Sequence, residues 1–291
     1  MSMYAMPSHV EKSFEIWPGK LSLAARGAGA REVLDAGMDA VRELAASVLT
    51  DAELLAKGRD ALPRGKAGRL ALEAAHIFRD AFPADTTPPS LAAMPGAVCD
   101  AVLEAMMEAA KRTGDVEFAV VALGDAVAIH QAPGAAISRD VAAMPPVLAE
   151  FVVALGGGVQ GGAALGGVRS GMPTRGLLDL VVTQARSAAL AGLAAAAVAD
   201  AGEADPAVHS TCRSRDRLIA LAWQGHPVSA ATGFLEPELV WQVLSAAVRR
   251  ATAIREKRLL RAAALGLKGR GRTLGPVDGD RLLRFGVSEW R

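Results

Sequence analysis

The chain is poor in the residues that most often announce chemistry. Its 291 residues include two cysteines, Cys99 and Cys212, five histidines and a single tyrosine. Two cysteines are too few for a disulfide framework in a chain of this length, so a reducing compartment is expected. Aromatic residues of all kinds reach 4%, which leaves little with which to stack nucleobases. Net charge is nearly absent too: 32 Lys+Arg face 31 Asp+Glu, which excludes a uniformly basic nucleic-acid coat and an acidic disordered chain.

Membrane-spanning runs are missing as well. Residues 187–199 are apolar but stop at 13, between Arg186 and Asp200. Residues 151–168 carry no charge over 18 positions but hold seven glycines, which lowers both hydrophobicity and helix propensity. The N-terminal residues carry acids and Pro7 and lack the apolar core of a secretory signal. The expected location is the cytoplasm.

What is present is a core-forming, helix-favouring vocabulary. Hydrophobic residues make up 51% and charged residues 22%, enough to bury a substantial interior. Alanine, the best helix former, is about a fifth of the chain. Apolar spacing predicts a helix from Arg31 to Leu49, and Thr50-Asp51-Ala52-Glu53 reads as a capping box that starts a second. Leu70, Leu72, Ala75, Ile77, Phe78 and Phe82 predict a third. Another covers 97–112, closed by Gly114. The run Phe118–Leu123 fits a buried strand or a helix, and its alanines favour a helix. Further helices are expected over 147–168, 174–200, 206–223 and 237–266.

The expected fold is therefore all-α, a packed multi-helix bundle of eight or more helices in one body or two lobes. Residues 1–28 read as an irregular lead-in and 29–82 as an N-terminal helical lobe. The Pro-rich stretch 83–95 reads as a boundary loop, 96–272 as the main helical domain with a basic C-terminal helix, and 273–291 as a tail.

Four motifs carry candidate chemistry. Gly158, Gly162 and Gly166, within the Gly156–Gly167 segment, stand four apart; on a helix they share one smooth face against which another backbone packs. Gly65-Lys66-Ala67 lacks the first glycine and the Ser/Thr of a phosphate loop. Glu73 and His76 form an E-x-x-H, the half-site of a di-iron bundle, but no second acid stands three residues before another histidine. His209 and Cys212, followed by Arg213, would lie on one face of a helix beginning near Pro206, where the dipole and neighbouring cations favour a thiolate. No metal and no cofactor is expected.

A fifth signal is charge asymmetry. Residues 249–272 carry Arg249, Arg250, Arg255, Lys257, Arg258, Arg261, Lys268, Arg270 and Arg272 against the single acid Glu256, a local net charge of +8 that leaves −7 for the rest. This reads as a basic arm on an acidic body. An anionic partner follows: an acidic protein surface first, then nucleic acid, with a membrane last and a homo-oligomer compatible with either. The leading expectation is a non-catalytic cytoplasmic helical accessory or assembly protein that docks such a partner. The alternative is an enzyme whose pocket combines Gly156–Gly167 with His209, Cys212 and Arg213, with Cys212 and His209 as its catalytic residues.

Overall fold

The computed structural model describes residues 9–58, 62–83, 88–114, 116–135, 144–156, 159–202, 209–212, 216–224 and 228–279. The segment expected to be an irregular lead-in contains an antiparallel hairpin: β1 (His9–Ile16) pairs with β2 (Gly19–Gly27), His9 opposite Arg26 and Ile16 opposite Gly19. β2 pairs onward with β3 (Val116–Leu123), and β3 with β4 (Ala126–Gln131). The sheet continues through β5 (Gln160–Gly166), β6 (Leu180–Ala185) and β9 (Ala262–Leu267) to β10 (Arg270–Leu274). All eight strands run antiparallel to their neighbours. A second, two-stranded sheet joins β7 (His209–Cys212) to β8 (Val228–Thr232). The all-α bundle is thus corrected to an α/β fold, and the 96–272 region is no helical domain but holds most of the sheet.

The helical reading of Phe118–Leu123 fails for an identifiable reason. β3 is buried at every position but Glu117, because helices cover both faces of the sheet. A strand buried on both sides shows no alternation in its sequence. Gly124, at φ +55°, makes the tight turn into β4 that a side chain would disfavour.

Helices α1 (Ala30–Lys57), α2 (Lys66–Ala81), α3 (Met94–Thr113), α5 (Ala188–Asp200) and α7 (Pro237–Glu256) pack on one face of the sheet or on one another. The expected break at Thr50 does not occur, and α1 runs on for 28 residues. Asp51 turns inward instead and accepts the Arg64 amide at 2.9 Å, which ties the α1–α2 connection to the core. On the opposite face lies α4 (Pro146–Ala154), where Leu148, Phe151 and Val152 meet Phe118, Val120, Ile129 and Val182. A short helix α6 (Arg217–Ala222) begins at Asp216, whose carboxylate accepts the Leu218 and Ile219 amides.

α5 is the centre of the molecule, and alanine and glycine explain how it fits. Eleven of its residues, from Ala188 to Ala199, are buried. A Cβ built at Gly162 or Gly166 on β5, or at Gly96 on α3, would overlap the α5 backbone. Small residues on both sides let strand and helix approach to backbone contact. Among the described residues one stretch, Ser90–Thr113, is long and apolar enough to cross a membrane, and two thirds of its most apolar window is buried inside this fold.

Candidate anion-binding surfaces

The basic segment is not an arm. It comprises the last turns of α7, the connection to β9, and the β9–β10 hairpin, so it is built into the sheet edge. Val240, Val243, Leu244, Ala247, Ala251 and Ile254 form the buried stripe of α7, which leaves the charged residues elsewhere around the helix. The nine cations then separate into distinct environments.

Arg250 faces inward, its guanidinium 4.5 Å from the Phe82 ring centre and 5.9 Å from that of Phe78. It is a packing residue. Arg270 and Arg272 stand two apart on β10 and both lie over the Trp241 ring of α7, at 5.1 and 4.4 Å. β10 is the last strand of the sheet and Arg270 to Thr273 are exposed. Lys268 occupies the β9–β10 turn with φ +49°, its amide donating to Asp179 Oδ2 at 2.6 Å. Arg249 and Lys257 are exposed.

Arg255, Arg258 and Arg261 converge, and they converge on a residue outside the segment. With Arg186 they line a cleft of about 640 Å³ at the end of the sheet where β5 begins and β6 finishes. Gln160, Gln184, Thr252, Leu260, Pro276 and the single acid Glu256 complete its wall. The chain turns at the end of α7 through Arg258, whose φ of +60° is a left-handed conformation costing on the order of 1 kcal/mol for a residue with a side chain. Buried Leu259 and Leu260 anchor the turn, and the Arg261 amide donates to the Gln184 carbonyl at 2.8 Å. Gln184 is 1% exposed; its side-chain amide donates to the Ala185 carbonyl at 3.2 Å and more distantly to that of Gln160, while Oε1 has no partner among the described residues.

Sequence spacing alone missed Arg186 and Gln184, since each lies more than sixty residues from the basic segment. The adjoining cavity, of about 410 Å³, is lined by Glu73, Asp100 and Glu104 as well as Arg186. There Asp100 accepts the amides of Ala188 and Ala189, and burial pushes its carboxyl up to about 6.

The remaining expectations fall as follows. Gly162 and Gly166 do share one face against a helix, but that face belongs to strand β5 rather than to a helix; Gly158 lies outside the described residues. His209 and Cys212 belong to strand β7, not to the first turn of a helix, so the dipole that would favour a thiolate is absent there. Arg213 and the side chains of His209 and Cys212 lie outside the described residues. Among those described, no three acidic, histidine or cysteine side chains gather as metal ligands.

A further cavity of about 280 Å³ opens beside the second half of β5. Trp17, Asp125, Ala164, Leu165, Met172, Gly192 and Asp216 contribute to its wall. Burial raises the Asp125 carboxyl, opposed by the amides of Gly171 and Met172. Asp216 Oδ2 accepts the Trp17 indole N–H at 3.3 Å. Nothing in the sequence around Asp125 marked it, because it is one acid in a glycine turn.

Fold and surfaces together define an α/β protein with one large antiparallel sheet, helical layers on both faces, and a guanidinium-lined cleft at one end. The chain belongs to the AbpE bacteria family, whose model matches residues 6–273. No curated protein matches the sequence.

Proposed function

We propose that this is a non-catalytic cytoplasmic accessory protein that docks an acidic, extended segment of a partner protein along β10. The observation that carries this reading is the pair Arg270 and Arg272 held over Trp241 on an exposed edge strand. Stacking on the indole restrains both guanidinium groups, and Arg272 Nη1 also donates to the Gly271 carbonyl at 2.9 Å, so less freedom is lost when a carboxylate meets their other N–H groups. Residues two apart on a strand lie on one face about 7 Å from each other, the spacing at which alternate acids of an added strand would meet them. Arg249 and Lys257 extend the positive field. Nucleic acid ranks below an acidic protein because the arginines already cover the Trp241 ring.

The test is fluorescence anisotropy with a labelled peptide of alternating Glu and Val. Binding should weaken steeply between 0.1 and 1 M salt, as the Debye length falls from about 10 to about 3 Å. The pair Arg270→Glu and Arg272→Glu should abolish it with the circular dichroism spectrum unchanged. Equal binding by that double variant, or tighter binding of a single-stranded oligonucleotide, would overturn the reading.

A second reading, an enzyme, is supported by Asp125: a carboxyl raised by burial at the wall of a cavity is suited to proton transfer. It predicts small molecules that raise the melting temperature of the wild type and not of Asp125→Asn. A screen in which both proteins respond alike would remove it.

A further inference from the structure

The cleft between α7, β6 and the start of β5 is separate from the β10 edge, and its composition is more specific than a basic surface. Arg186, Arg255, Arg258 and Arg261 line it with one opposing acid, Glu256, and none of the four is engaged in an ion pair among the described residues. Arg255 lies in the last turn of α7, where complementing the helix dipole is reason enough for a cation. The other three fall outside that helix, and Arg186 comes from a different part of the fold. Arg258 directly follows the C-cap of α7, at φ +60° with the Leu259 amide donating to the Ile254 carbonyl at 3.2 Å, so a left-handed helix stop usually given to glycine carries an arginine here.

Two further features narrow the ligand. The lining charge is a net +3, whereas one phosphoryl group brings about −1.5 to −2 at neutral pH, so two phosphoryl groups match it and a single carboxylate does not. Between the cations stand the amides Gln160 and Gln184; Gln160 is exposed on the cleft wall, while Gln184 Oε1 is buried with no partner among the described residues. Among the described residues no aromatic side chain lines the cleft, so its described wall gives a nucleobase nothing to stack upon, while a hydroxyl group would find an acceptor in Gln160. The volume of about 640 Å³ lies within the ~300–1,000 Å³ range of small-molecule sites.

We infer that this cleft is a binding site for a small polyol carrying two phosphoryl groups, which Arg186, Arg255, Arg258 and Arg261 hold by charge-assisted hydrogen bonds while the exposed Gln160 amide accepts from a hydroxyl group. The inference does not depend on the β10 docking surface, which uses other residues.

Isothermal titration calorimetry of the full chain, at fixed 0.15 M salt, tests it with three probes: fructose 1,6-bisphosphate, inorganic pyrophosphate and citrate. The sugar bisphosphate should bind at least about tenfold more tightly than citrate, whose charge is similar but whose groups are carboxylates, and more tightly than pyrophosphate, which has no hydroxyl groups. Arg258→Gln and Arg261→Gln should each weaken the bisphosphate about tenfold or more. Gln160→Ala should weaken the bisphosphate and leave pyrophosphate unchanged. Citrate binding equal to the bisphosphate, or binding that both arginine variants leave intact, overturns the inference. Equal affinity for bisphosphate and pyrophosphate overturns the polyol assignment.

Discussion

Asp100 belongs to α3 yet caps α5: one carboxylate oxygen accepts the Ala188 amide at 2.8 Å and the other accepts the Ala189 amide at 2.9 Å. The orphan donors at the start of the central helix are thereby satisfied across the core. Ser187 adds a local cap by accepting the Leu190 amide at 3.2 Å. The arrangement fixes α5 against α3 and sets Arg186, one residue earlier, between the acidic cavity and the cationic cleft.

This cap makes stability depend on pH with a defined sign. Burial raises Asp100 from 3.8 to about 6 against the pull of the two amides, so the folded protein binds its proton more tightly than the unfolded chain. The contribution is fully present below pH 3.8 and is lost as pH rises through about 6, amounting to up to about 3 kcal/mol. Urea unfolding of the wild type and of Asp100→Asn between pH 3.5 and 7.5 isolates it. The wild type should lose stability relative to the variant across that window; a difference independent of pH would refute the assignment.

Gly162 should tolerate almost nothing larger. A Cβ there overlaps the Ala188 backbone, whereas one at Gly19 meets nothing within 4 Å. Gly162→Leu should cost about 1–3 kcal/mol or more through overpacking, and Gly162→Ala less. Gly19→Ala serves as the neutral comparison in thermal melts. An unchanged melting temperature for Gly162→Leu would show that β5 and α5 are not in contact in solution.

Arg250 should prove to be a packing residue rather than part of an anion site. Replacing it by Met keeps much of the aliphatic contact but removes the cation above Phe82, at a cost of about 0.5–1 kcal/mol. Binding of both the acidic peptide and the sugar bisphosphate should be unaltered. Loss of either without loss of stability would return Arg250 to the binding surface.

The Cys99 thiol should be shielded from alkylation. Cys99 is wholly buried, and burial pushes its thiol well above the ordinary range; the thiolate is the reactive form. Iodoacetamide should therefore modify at most one thiol per chain under native conditions and both after unfolding. Mass-spectrometric detection of native alkylation at Cys99 would contradict the packing of α3.

Some features could be read directly from residue order. The α7 stripe Val240, Leu244, Ala247, Ala251 and Ile254 is helical in period and buried in fact. Gly114, expected as a helix terminator, follows α3 at φ +97°. The concentration of cations in 249–272 is a property of composition and needed no coordinates to see. The glycines illustrate how far such reading extends: a four-residue interval places side chains on one face of a helix, but it does the same on a strand, where the period is two. Gly162 and Gly166 thus disclosed a close contact without disclosing which element made it.

Alanine content, helical periods and the charge of the 249–272 segment were determined by the sequence alone. Tertiary structure decided that alanine- and glycine-rich stretches such as Gln160–Gly166 and Ala262–Leu267 would be strands. Their intrinsic preferences are weak, and β-propensity is largely a matter of what a strand packs against. β5 is a strand because β4 and β6 satisfy its backbone and α5 can approach only residues this small. The cleft was decided the same way. Arg186 and Arg261 are far apart along the chain, and the hydrogen bond from the Arg261 amide to the Gln184 carbonyl brings their strands to one end of the sheet. Convergence of this kind depends on which backbone groups pair, and that pairing has no local signature.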